Sequence, residues 1–165
     1  MTYSLTRRAA LIGGACAAML ALTSVPSQAA AKIQRLVSPG GIEAWFVQDA
    51  TVPLIAMEYS FGGGASQDPP GKPGVGNLVA DLLDEGSGDL DSKTYHERLE
   101  RRAIELSFAS NRDQFRGSLR MLKDNKDEAY DLLRMALTSP RFEPKDVERI
   151  RAQVISNLRR ESTNP

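Results

Sequence analysis

The sequence predicts an α+β fold in which helices pack on a largely antiparallel sheet. Three observations carry this expectation. Two β-rich runs open the folded part of the chain, two more follow in its middle, and each pair is succeeded by stretches whose apolar residues recur every three to four positions. The resulting order is β-β-α-α-β-β-α-α. At 165 residues, 41% of them hydrophobic, the chain can bury one modest core. Its 21 Lys and Arg balance 21 Asp and Glu, and no basic stripe is interleaved with aromatics, so no nucleic-acid partner is expected.

The first segment is of another kind. Arg7 and Arg8 precede an apolar, small-residue run from Ala9 to Leu22, and the stretch Pro26 to Ala29 offers a small-x-small cleavage site before Ala30 or Ala31. Residues 1–31 therefore read as an export signal and residues 32–165 as the domain. Thr6-Arg7-Arg8-Ala-Ala-Leu11 resembles a twin-arginine signal, while the apolar run also suits the general secretory route. A run of 14 residues is too short to span a bilayer comfortably, so no permanent membrane anchor is expected. Gly13 stands where a lipoprotein would carry leucine, three residues before Cys16. Cys16 is the only cysteine and leaves with this segment, so the mature chain can form no disulfide. Cleavage also removes Arg7 and Arg8 and no acid, which turns the 21-to-21 balance into a formal net −2. A periplasmic or otherwise exported protein is the expectation.

The folded part begins with Ile42–Gln48 and Leu54–Phe61, β-rich runs separated by Asp49–Pro53 and expected to pair antiparallel. Trp45, the only tryptophan, is expected in the core or on a sheet face. The Gly/Pro-rich loop Gln67–Pro73 leads to a helix on which Val75, Leu78, Val79, Leu82 and Leu83 make one buried face, with Gly86 as its C-terminal cap. Thr94 and Glu97 form a capping-box pair for a short charged helix through Leu99 to Arg102. That helix carries His96, the only histidine, as an incidental exposed imidazole. Ile104, Leu106 and Phe108 alternate, as do Phe115, Gly117, Leu119 and Met121, around the turn Asn111–Asp113: a second hairpin. Asn125 and Glu128 resemble another capping box, opening a helix with Ala129, Leu132, Leu133, Ala136 and Leu137 on one face and Pro140 at its end. Pro144 starts the last helix, striped by Val147, Ile150, Val154 and Leu158.

The first and last helices carry polar positions beside their apolar stripes. Asn77 and Asp81 are one turn apart on the polar face of the first, where two ligands could grip one metal ion. On the last, Asn157 sits about 20° from Ile150 at 100° per residue and borders the apolar stripe. Around them stand a glycine-rich segment, Phe61-Gly-Gly-Gly-Ala-Ser66, then Gly74-Val-Gly76, then Glu85-Gly-Ser87, and later Glu148-Arg-Ile-Arg-Ala-Gln-Val-Ile-Ser-Asn157. This layout resembles the N-terminal domain of the pitrilysin, insulinase and mitochondrial-processing-peptidase family, peptidase family M16, from about Val37 to the end of the chain. The resemblance implies a LuxS/MPP-like metallohydrolase-type fold, in a truncated form.

In that family of inverted zincins the first helix reads His-x-x-Glu-His, two imidazole ligands around a glutamate base, and a later helix supplies a glutamate ligand. Here the five positions read Asn77-Leu78-Val79-Ala80-Asp81, and Ile150 and Asn157 stand where the later glutamates would be. Asn157 follows Asp81 by 76 residues, so the spacing is kept while the ligands at 77, 81 and 157, the base at 80 and the other glutamate at 150 are absent. The resemblance therefore implies a catalytically degenerate homologue with no cofactor of its own. The implied role is the non-catalytic half of a clamshell, shaping a chamber and binding peptide for an active, zinc-bearing homologue. Phe61, Gly62, Gly63 and Gly64, at a strand end able to accept an extended peptide, are the candidate peptide-binding residues. The alternatives are a stand-alone peptide-binding or scaffolding protein of the cell envelope, and a residual metalloenzyme using Asp81 with Asp84 and Glu85.

Overall fold

A computed structural model describes residues 32–163. The expected export signal, its cleavage site and Cys16 lie outside the described residues. The chain divides between Ala50 and Thr51 into two compact units.

The described part of the first unit is a hairpin. Strand β1 (Ile33–Val37) pairs antiparallel with β2 (Glu43–Val47) in the register Ile33↔Val47 to Val37↔Glu43. Its turn is held by Ser38, whose Oγ accepts from the Ile42 amide at 3.0 Å. On one face Arg35 grips Glu43 bidentately, both contacts at 2.8 Å, and Trp45 Nε1 donates to the same carboxylate at 2.9 Å. Trp45 is thus a sheet-face residue, 72% exposed, and not a core residue. A two-stranded ribbon supplies no second layer of its own to bury an indole.

The second unit holds the main sheet. Strand β3 (Leu54–Gly62) pairs antiparallel with β7 (Gln114–Leu122) over nine residues, and β6 (Glu105–Ser110) lies on the other side of β7. The expected pairing of the runs at 42–48 and 54–61 is therefore corrected: β2 pairs with β1, and β3 with β7. Nine residues matched along one partner outweigh the advantage of a short connection. Between β3 and β6 come helix α1 (Val75–Ala80), the two-residue strands β4 (Gly86–Ser87) and β5 (Leu90–Asp91), and helix α2 (Ser92–Arg101). Helices α3 (Lys126–Thr138) and α4 (Pro144–Thr163) follow β7.

The core sits between the sheet and helices α2 and α3. Tyr95, Leu99, Ile104, Leu119, Met121, Ala129, Leu132, Leu133 and Ala136 form one buried cluster, with Ile55, Met57, Leu106 and Phe108 packed on it. Tyr95 closes the polar side by donating its hydroxyl to the Leu132 carbonyl at 2.9 Å. Tyr59 lies across Gly117, its cross-strand partner: a Cβ there would stand 2.2 Å from the phenol ring. Its hydroxyl is buried without a partner among the described residues, and burial pushes its pKa up to about 12.

Three helix termini depart from expectation. The first helix ends at Ala80 with Asp81 as its C-cap, and Gly86, at φ +104°, belongs to β4. Leu82 and Leu83 stay buried although they lie in the turns beyond it. α2 is capped by Asp91, whose Oδ1 accepts from the Thr94 amide at 2.9 Å, so Thr94 is a first-turn residue rather than the cap. Asn125 is the N-cap residue of α3 without capping it. Its side chain donates instead to the Arg102 carbonyl at 2.7 Å, and Glu128 pairs with Arg102 at 2.7 Å.

Candidate functional site

The glycine-rich segment after β3 docks on the β6–β7 turn. Gly63, Ala65 and Ser66 donate their amides to the carbonyls of Asp113, Asn111 and Arg112, each at 2.8 Å. Gly64, at φ +65°, comes so close that a Cβ would sit 2.2 Å from the Asn111 carbonyl oxygen. Gly63 and Gly64 therefore have a packing role, while Phe61 remains 55% exposed, its ring 6.5 Å from that of Phe115. Further along, Asp68 takes the amides of Gly74 and Gly76 on its two carboxylate oxygens, at 2.7 and 2.8 Å. That side chain fixes the start of α1, a role with no signature in the sequence beyond an aspartate ahead of two prolines.

Downstream of this anchor a cavity of about 340 Å³ opens between three elements. The end of α1 and the turn after it contribute Ala80, Asp81, Asp84 and Glu85; β6 contributes Ser107 and Phe108; α4 contributes Arg149, Ile150, Gln153, Val154 and Asn157. Of the degenerate positions, 80, 81, 150 and 157 line this one cavity, whereas Asn77 is exposed and does not. Ser107 and Phe108 are consecutive strand residues whose side chains point to opposite faces, so the cavity meets β6 edge-on. Among the described residues β6 pairs only with β7, which leaves its other edge without a strand partner, with α1 packed beside it.

The electrostatics are those of a small acidic pocket. Burial raises the pKa of Asp81. Asp84 is raised mainly by burial and further by the nearby Glu85 and Asp81 charges, against a lowering by His96. Glu85 is engaged by the Arg149 guanidinium and by Ser92 Oγ, the latter at 2.5 Å. The Asn157 side-chain oxygen Oδ1 accepts from the Arg160 guanidinium on its own helix. His96 is half-buried rather than exposed, with Nδ1 2.8 Å from the Ser92 carbonyl, in a second cleft of about 630 Å³ between α2 and α4.

A zinc ion does not fit these residues. The cavity offers no imidazole, Ala80 has no proton-accepting group, Asn157 offers at most an amide oxygen, and Glu85 is neutralised by an arginine. Among the described residues no three His, Cys, Asp or Glu side chains gather closely enough to hold a metal ion.

The site is thus a cavity on an α+β domain where its first and last helices face each other, lined by three carboxylates, one arginine and two amides. Comparison with known proteins gives the family. The insulinase, or peptidase family M16, sequence model matches residues 47–165, and the chain belongs to that family. The non-peptidase homolog YmxG of Helicobacter pylori is 26% identical over 131 residues, which make up 79% of this chain and 30% of that protein. The crystal structure of a peptidase M16 inactive domain from Pseudomonas fluorescens superposes with a TM-score of 0.74 at 25% identity, covering 81% of this chain and 33% of that one. A protease from Helicobacter pylori shares the fold, with a TM-score of 0.65 at 18% identity over 81% of this chain and 32% of its own. The chain thus spans about a third of the length of these relatives. It is a catalytically degenerate M16 homologue.

Sequence reasoning located the pocket's two helices but not its third wall. Ser107 and Phe108 carry no motif; only the strand order places them there. Gln153 and Arg149 lay inside the Glu148–Asn157 segment, one turn and two turns before Asn157, and that spacing was the available signal.

Proposed function

We propose that this protein is the non-catalytic subunit of an exported M16-type zinc peptidase, shaping the chamber and holding peptide for an active, zinc-bearing homologue. The observation that carries the reading is the pairing of a retained cavity with a strand edge that has no strand partner among the described residues, where metal ligands and base are absent. A peptide laid along β6 would gain main-chain hydrogen bonds from the strand and present alternate side chains to the cavity. Phe61 and the Gly62–Gly64 segment, at the end of the sheet's other edge strand, are a second proposed contact. Export rests on the composition of residues 1–31, and zinc on the partner.

The test is recovery of the tagged protein from the envelope fraction, with mass spectrometry of whatever accompanies it. The expected result is a homologue with an intact His-x-x-Glu-His, and chelator-sensitive peptidase activity in the mixture but not in this chain alone. Recovery of the chain by itself would overturn the subunit reading in favour of an independent peptide-binding or scaffolding protein. Recovery from the cytosol alone would overturn export.

A further inference from the structure

We infer that the Glu85–Arg149 ion pair is a latch that holds α4 against the turn after α1 and thereby sets the width of the pocket. The start of α4 is tied down by backbone. The Gly88 amide donates to Ser139 O at 2.8 Å, the Arg141 amide to Gly86 O at 3.1 Å, and Arg141 Nη1 to Gly88 O at 3.0 Å. Two turns further along, Arg149 reaches across to Glu85, whose carboxylate is also held by Ser92 at the start of α2. Past that point the polar contacts turn inward: those of Arg151, Asn157, Arg159, Arg160, Ser162 and Thr163 all stay within α4. Only Ile150 is buried there, while Ile155 and Leu158 are 37% and 59% exposed.

The burial pattern makes the arginine decisive. The Glu85 and Asp146 side chains are 11% and 8% exposed, and both depend on one guanidinium that is 49% exposed. Asp146 Oδ1 lies 3.4 Å from it, and Asp146 Oδ2 has no hydrogen-bond partner among the described residues. Without Arg149 two buried carboxylates lose their ion-pair partner, leaving Asp146 only the nearby Lys145 charge and Glu85 only the Ser92 hydroxyl, and the cheapest relief is to admit water by moving α4 outward. Glu85 and Arg149 are also the two residues that line both the 340 Å³ pocket and the 630 Å³ cleft. The pair is the partition between them, so opening it joins the two spaces while the base of α4 stays anchored at residues 139–141.

Amide hydrogen exchange on the 165-residue chain tests this without any ligand. In Arg149→Met, amides from Ile150 to Asn157 should exchange at least tenfold faster, with those of Lys126–Thr138 unchanged; Glu85→Gln, which breaks the pair without leaving a buried charge unpaired, should accelerate the same amides by less, and the double variant should not exceed Arg149→Met. Arg149→Lys, which keeps the charge but loses the fork, should give a smaller acceleration confined to the same amides and serves where the methionine variant does not fold. Unchanged exchange in α4, or equal acceleration in α3 and α4, would overturn the latch.

Discussion

Two interiors of opposite chemistry lie within residues 51–163. Under the sheet, Tyr95, Leu119, Met121 and Leu132 are fully enclosed by one another and by the small residues Ala129 and Ala136. Between α1, β6 and α4, a space of about 340 Å³ is left open and lined by three carboxylates, one arginine and two amides. The first interior is where burial of apolar surface stabilises the fold; the second is polar space that folding does not need to fill. The difference teaches that the loss of catalytic residues has not been repaired by packing. The pocket is open polar space without the ligand and base residues of the M16 motif.

The largest effect should separate the two interiors outright. Leu132→Ala in the core is expected to cost roughly 2–5 kcal/mol, whereas Asn157→Ala in the pocket should stay within about 0.5 kcal/mol. Urea unfolding of the two variants measures both, and equal losses would break the distinction. A smaller effect tests the pocket's charge. The folded-state pKa of Asp84 is raised, so its contribution to stability is fully present below its unfolded value and is lost as pH rises through the folded one. Asp84→Asn should therefore be more stable than the parent at pH 7, with the gain vanishing once the parent's carboxylate is protonated. A gain that persists unchanged into acid would point to packing rather than charge.

The smallest effect sharpens the picture of the core's edge. α2 ends in a Schellman motif, with the Ile104 amide bonded to Leu99 O at 2.9 Å and the Ala103 amide to Glu100 O at 3.0 Å. The position in left-handed conformation is an alanine, at φ +48°. Ala103→Gly should stabilise the chain by up to about 1 kcal/mol, measured as a rise in thermal midpoint; a fall would mean the methyl packs more than it strains.

Elements with a strong period were legible. The stripe through Ala129, Leu132, Leu133 and Ala136 with Pro140 beyond it gave α3 almost to the residue, and the alternation in 104–108 and 115–121 gave the β6–β7 hairpin. Strand β1 was missed because Ile33–Val37 has no turn signal before it, adjoining instead the export-signal composition. The Asp91 cap was missed because Thr94 and Glu97 offer a competing box, and only geometry shows which side chain reaches the amide. At the site, the resemblance to the M16 family, not spacing alone, put Ala80, Asp81, Ile150 and Asn157 opposite one another, and all four line one cavity. The Glu85–Arg149 pair was not legible, since its partners are 64 residues apart and meet only through the topology.

The most direct test of the degenerate site is calorimetric titration of the purified chain with zinc at neutral pH, with the folded variant Asn77→His, Ala80→Glu, Asp81→His, Asn157→Glu titrated beside it. No stoichiometric binding is expected from the unmodified chain; one zinc per molecule in the variant would show that position 77 turns toward the cavity once it carries an imidazole. Tight one-to-one binding by the unmodified chain would contradict it.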